Sequence, residues 1–198
     1  MKIEIRKLTP DLAEDYVHFF DITPHDDHAI KDELPCYCVT WRSDDSYIND
    51  NRHWFPTREE RRSRAIQFVQ DGKIQGYLAY YQNEIVGWCN ATGNCKGGVN
   101  YLRTYWPIEE YRADVRVKSI FCFVIAPEMQ RKGIATQLVT YICKDAAEEG
   151  YDFVEAYVNK GFTNIENEFR GPLSMYEKCG FIKSVEKESK VVVRKALK

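Results

Sequence analysis

The sequence predicts a mixed α/β fold organised around one strand-helix-strand unit in its C-terminal half. Residues 117–125, VKSIFCFVI, become near-continuously apolar from Ile120, as suits a strand buried on both faces. Beyond them Ile134, Leu138, Ile142 and Ala146 recur every four residues, with Ala135 and Val139 alongside, which is one face of a helix. That helix is expected over 133–149, ending at Gly150, whose missing Cβ suits the left-handed C-terminal position. Residues 152–158, DFVEAYV, form the next β-rich run, and a right-handed crossover is the default for such a unit.

The remaining elements follow in order. Ile3 and Ile5 alternate with charged residues as in a strand, and Thr9-Pro10-Asp11 then offers an N-cap and a first-turn proline to a helix carrying Leu12, Tyr16 and Phe19. Residues 21–56 hold prolines at 24, 35 and 56 without sustained periodicity, so an irregular segment with one short helix at most is expected. Thr57-Arg58-Glu59-Glu60 has the form of a capping box, opening a helix through Ala65, Ile66 and Val69 that stops at Gly72. Residues 75–81 and 84–91 read as a hairpin about Gln82-Asn83. The stretch 92–116 is again irregular, and its Tyr101, Tyr105, Trp106 and Tyr111 suit either a lid over a pocket or packing on the domain edge. After a polar loop over 159–170, Gly171-Pro172 opens a short helix ending at Gly180, and 181–185 with 190–194 close the sheet.

Length and composition narrow the classes. The 198 residues suit a single domain over 1–198 with irregular insertions at about 21–56 and 92–116. Twenty-eight Lys and Arg against 30 Asp and Glu leave a net charge of −2, with no basic excess to grip nucleic acid. No apolar run approaches the ~20 residues of a membrane span, and MKIEIRKLT alternates like a strand, unlike a signal peptide. A cytoplasmic protein is expected, and its odd total of seven cysteines argues for reduced thiols. Cys122 and Cys143 lie in apolar patterns and read as core. Cys36-Tyr37-Cys38 lacks the spacing of a zinc knuckle, and His25-Asp26-Asp27-His28 reads as a solvated acidic loop before it reads as a metal site.

The junction between the central strand and its helix carries the chemistry. The first amides of a helix have no intrahelical acceptor, and its dipole leaves roughly half a positive charge there, so an anion can be held by main chain alone. Gly133 and Ala135 are small enough to let a diphosphate approach. A P-loop would need glycine where Glu128 stands and Lys-Ser or Lys-Thr after Gly133, and a dinucleotide fingerprint would need three glycines; neither fits. The pattern that fits is Gln/Arg-x-x-Gly-x-Gly/Ala, here Gln130, Gly133 and Ala135, preceded by Ile125-Ala126-Pro127.

This junction resembles the acyl-coenzyme A binding motif of the GNAT superfamily of N-acyltransferases. Leu173-Ser174-Met175-Tyr176-Glu177-Lys178-Cys179-Gly180-Phe181 is similar to that family's Leu-Tyr-Glu-Lys-x-Gly-Phe signature, and the two motifs stand in the family's order with a strand between. The resemblance implies a GNAT-like mixed sheet of six or seven strands with about four helices, whose central parallel pair splays to leave a slot for acetyl-coenzyme A. It also implies that the main chain of Phe123, Val124 and Ile125 pairs with the pantetheine arm. The amides of Arg131, Lys132, Gly133, Ile134, Ala135 and Thr136 then hold the diphosphate, and the Arg131 and Lys132 side chains either add charge attraction or are simply exposed polar residues.

Tyr176 matches the family tyrosine that often acts as general acid. A phenol with a reference pKa near 10 can donate a proton towards a departing thiolate. Its alternative is packing beside Leu173, Met175 and Cys179. Glu155 matches a glutamate that some members use as a base, and a salt-bridged strand carboxylate is the alternative. Where many members carry a cofactor-contacting asparagine, seven residues before the tyrosine, this chain has Phe169. Asn167 or Asn164 is the candidate substitute.

The function implied is direct transfer of an acetyl group from acetyl-coenzyme A to a primary amine, without a metal or an acyl-enzyme, in a monomer or homodimer. Residues 21–50 hold eight acidic side chains against Lys31 and Arg42, a local net charge of −6, which suits either a small cationic amine as acceptor or an acidic surface that only aids solubility. A protein N-terminus or lysine as acceptor, and a catalytically silent coenzyme A-binding module, stay open at this point.

Overall fold

The structure is a computed structural model, and it describes residues 1–23, 35–39, 55, 57–93, 115–161, 169–187 and 190–198. Its elements are β1 (Glu4–Lys7), α1 (Ala13–Ile22), α2 (Arg58–Gln70), β2 (Gly76–Tyr81), β3 (Glu84–Thr92), β4 (Val117–Ile125), α3 (Ile134–Glu148), β5 (Phe153–Asn159), α4 (Leu173–Lys178), β6 (Ile182–Lys187) and β7 (Lys190–Ala196). The seven strands form one sheet in the order β1-β2-β3-β4-β5-β7-β6. β4 and β5 are parallel and every other neighbouring pair is antiparallel.

Local chemistry accounts for most boundaries. Thr57 accepts from the Glu60 amide at 3.2 Å while the Glu60 carboxylate receives the Thr57 amide, so the expected capping box opens α2. The β2-β3 hairpin turns at Gln82 and Asn83, both at positive φ, which matches the right-handed twist of the flanking strands. Gly150 ends α3 at φ +78°. The beginning of α1 differs from expectation. A 3-10 turn over Pro10–Leu12 comes first and the Thr9 side chain makes no cap bond, because the proline starts a tighter turn ahead of the α-helix.

Apolar residues fill both faces of the sheet. On one, α3 sets Ile134, Leu138, Ile142 and Ala146 against Ala79, Ile120, Val154, Ala156 and Val193, joined by Tyr176 and Phe181. On the other, α1 and α2 set Tyr16, Phe20, Ala65 and Phe68 against Leu78, Trp88 and Cys122. The wholly buried Arg61 donates from Nε to the Phe55 carbonyl at 2.8 Å, tying that residue to α2. Cys122 and Cys143 are buried, as their apolar surroundings predict, and the Cys38 and Cys122 thiols lie 3.4 Å apart. Among the described residues no helix is long and apolar enough to cross a membrane.

The buried end of β4 carries a charge cluster. Lys118, 4% exposed at its side chain, donates to Tyr77 Oη at 2.8 Å and also meets Asp145 of α3 and Glu149 at its C-cap, while Lys7 of β1 reaches the same Glu149. Four elements thereby share one compensated set of charges at the end of the sheet opposite the β4-α3 junction.

Candidate active site

The chain leaves β4 at Ile125, makes a short 3-10 turn over Pro127–Met129 pinned by buried Ala126 and Met129, and enters α3 through Gly133. Arg131 and Gly133 both have positive φ, 60° and 79°, the backbone reversal from which anion-binding amide concavities are built. Gln137 is the first residue of α3 whose amide returns to the chain, to the Gly133 carbonyl at 3.1 Å. Among the described residues the amides of Arg131, Lys132, Gly133, Ile134, Ala135 and Thr136 meet no acceptor.

The contrast with α2 is informative. That helix satisfies its own N-terminus with Thr57 and Glu60 and carries two acids in its first turn, whereas α3 has neither a side-chain cap nor an acidic residue there. A bare, positively polarised helix end on the surface suits an anion. A Cβ added at Gly133 would meet nothing within 4 Å, so the space above the turn is open. Gln130, Arg131 and Lys132 are exposed. Gln130 donates from its side chain to the Ile125 carbonyl at 3.3 Å, and Arg131 and Lys132 make no ion pair among the described residues.

Beside this turn the sheet opens. β4 and β5 pair only from Val117↔Phe153 to Ile120↔Ala156, after which β5 continues against β7 and β4 against β3. The Ala126 amide bonds to Val86 on β3, and the alternation of an antiparallel ladder then turns the main-chain groups of Phe123 and Ile125 towards the β5 side. Beyond Ile120 the β5-facing edge of β4 thus has no strand partner, and it runs up to the bare helix end.

The fold agrees with known proteins. The acetyltransferase (GNAT) family model matches residues 27–181. The chain belongs to the GNAT acetyltransferase family. Solved structures similar in fold include an N-acetyltransferase from Staphylococcus aureus Mu50, with TM-score 0.56, 12% identity and 100% of both chains covered. The PaiA N-acetyltransferase from Thermoplasma acidophilum, in complex with coenzyme A, has TM-score 0.53 and 17% identity over 99% of each chain. The ribosomal-protein-S18-alanine N-acetyltransferase from Escherichia coli has TM-score 0.52 and 11% identity over 99% of this chain and 94% of that one. No curated protein sequence matches the chain significantly. GNAT enzymes use acetyl-coenzyme A, and the unbonded amides of 131–136 beside the slot fit its diphosphate.

Two other residues of the expected site are engaged by the protein's own groups. The Phe123 amide, expected to face pantetheine, donates instead to the Phe169 carbonyl at 2.6 Å. Tyr176 in α4 is fully buried, its ring edge-on to Phe181 at 5.2 Å, and its hydroxyl donates to the Arg170 carbonyl at 2.8 Å. Burial pushes the phenol well above its ordinary pKa of 10, so it holds its proton at neutral pH.

Glu155 is wholly buried and both its carboxylate oxygens are taken, one by the Tyr157 hydroxyl and the other by Arg194 Nε at 2.9 Å. That geometry meets the strand ion-pair alternative, because a base needs an oxygen open to the proton it removes. Asn167 and Asn164 lie outside the described residues, as do the aromatics of 101–111 and the His25-Asp26-Asp27-His28 stretch. Of the acids in 21–50, Asp21 is described. It accepts from Tyr37 Oη at 2.5 Å and from Arg62 Nε at 2.9 Å, so its charge is spent on α2. The main-chain role of residues 169 and 170 escaped sequence reading, since a carbonyl leaves no mark in side-chain identity. The one signal was Phe169 standing where the family often has asparagine.

Proposed function

We propose that this GNAT protein transfers an acetyl group from acetyl-coenzyme A to a primary amine, with a small cationic molecule as acceptor, by direct reaction in a ternary complex. One observation carries the reading: six consecutive amides, from Arg131 to Thr136, have no acceptor among the described residues and stand at the mouth of the β4-β5 opening. In this reading those amides hold the diphosphate, Arg131 and Lys132 add charge, and the edge of Phe123, Val124 and Ile125 lines the pantetheine path.

Acetyl-coenzyme A supplies an already activated thioester, so positioning by the protein can account for much of the acceleration. Tyr176 is proposed as the general acid, its ring lying beside Gly171 as that of Phe123 on β4 does. Asn167 is proposed as a further contact to the cofactor. Glu155 anchors β5 to β7 through Arg194, and the amine then loses its proton to water or arrives neutral. The cationic preference rests on the −6 charge of residues 21–50.

Thermal-shift titration with acyl-coenzyme A thioesters, followed by thiol release across an amine panel, tests the reading. Stabilisation by acetyl-coenzyme A and turnover that favours cationic amines at low salt is the expected result. Firm binding with no turnover on any amine would leave a coenzyme A-binding module, and peptides outperforming small amines would reassign the acceptor.

A further inference from the structure

We infer that residues 169–171 form a strap that closes the pantetheine edge of β4 in the free protein and withdraws when coenzyme A seats. The inference rests on the acyl-coenzyme A reading of the slot. Two consecutive carbonyls carry it: Phe169 accepts from the Phe123 amide at 2.6 Å, and Arg170 accepts from the Tyr176 hydroxyl at 2.8 Å. These two donors are the groups that the cofactor reading assigns to pantetheine and to the thiolate. Peptide carbonyls are the same kind of acceptor as the amide carbonyls of pantetheine, so the chain satisfies with its own main chain what the ligand would satisfy later.

The packing holds this segment against both partners. Gly171 lies at φ +79°, and a Cβ there would come 2.6 Å from Met175 Cε and 3.5 Å from ring carbons of both Phe123 and Tyr176. Only glycine combines that conformation with that closeness. Pro172 at the N-cap disfavours helical geometry in the residue before it, so α4 does not begin until Leu173 and residues 169–171 stay out of the helix. Phe169 is partly buried against the α1-α2 side of the core, and the Arg170 guanidinium lies 4.9 Å over its ring. The two carbonyl hydrogen bonds are of the kind that a ligand's amide carbonyls can replace.

A strap that must leave first reduces apparent affinity by the fraction of molecules in which it is open. Stopped-flow binding of coenzyme A to the wild type and to Phe169→Ala tests this, with calorimetry on both. With the strap, the observed binding rate of the wild type levels off as coenzyme A rises. Loss of the ring anchor raises that plateau and tightens apparent affinity roughly tenfold. Rates that climb linearly, with affinity equal or weaker in Phe169→Ala, overturn the strap while leaving the cofactor reading in place. No heat and no thermal stabilisation with the wild type would remove both. Should Phe169→Ala fail to fold, hydrogen exchange at the Phe123 amide of the free wild type decides: slow exchange supports the strap, and exchange as fast as an open strand edge overturns it.

Discussion

Arg194 Nε stands 2.9 Å from Glu155 Oε2, directly across the β5-β7 ladder, with the carboxylate completely shielded from water. Breaking such a pair on one side leaves an uncompensated buried charge, whereas removing both partners costs far less. Glu155→Gln is expected to lower unfolding free energy by about 3 kcal/mol, and Glu155→Gln with Arg194→Met to recover part of the loss. Denaturant titration measures both. Turnover corrected for folded fraction stays within a few-fold of wild type if the carboxylate is an anchor, and a much larger loss would restore it as the base.

Gly133→Glu places a carboxylate and a Cβ where the turn is open, at a φ of +79° that non-glycine residues resist. Coenzyme A binding is expected to vanish in calorimetry, while circular dichroism stays close to wild type and stability falls by about 1 kcal/mol from backbone strain alone. Retained affinity would dissociate the bare helix end from the cofactor.

Tyr176→Phe removes the hydroxyl that bonds Arg170 and keeps the ring against Phe181. Turnover should drop about 100-fold if the phenol is the acid, with coenzyme A affinity unchanged or improved because the strap loses a bond. Parallel losses in kcat and affinity would mean that the tyrosine only packs.

The Lys118 cluster makes stability depend on acid. Burial alone would raise the Glu149 carboxyl, but Lys118 and Lys7 outweigh it and hold its pKa below the ordinary 4.5. A carboxyl lowered by folding contributes its stability fully above the unfolded-state value and loses it as pH falls through the folded-state value. The melting temperature of the wild type should therefore exceed that of Glu149→Gln at pH 6, and the gap should shrink as pH falls below about 4.5. Lys118→Met should cost about 2 kcal/mol at pH 7, less than for a fully enclosed pair because Asp145 and Glu149 remain 21% and 31% exposed.

What the amino-acid order determined by itself was everything that local periodicity and turn chemistry encode. The four-residue repeat from Ile134 to Ala146 set α3, Thr57 and Glu60 set the start of α2, Gln82-Asn83 set the hairpin, and the glycine after Arg131-Lys132 marked the bare helix end. Tertiary structure alone decided how Glu155, Phe123 and Tyr176 are engaged. Whether a strand carboxylate is free or paired depends on Arg194, 39 positions later, and whether an edge amide is open depends on the carbonyl of Phe169, 46 positions later. Periodicity reports which face of an element is buried. It carries nothing about which distant main-chain or charged group arrives there, because that is settled by the register of β5 on β7 and by the path that Gly171 and Pro172 impose before α4.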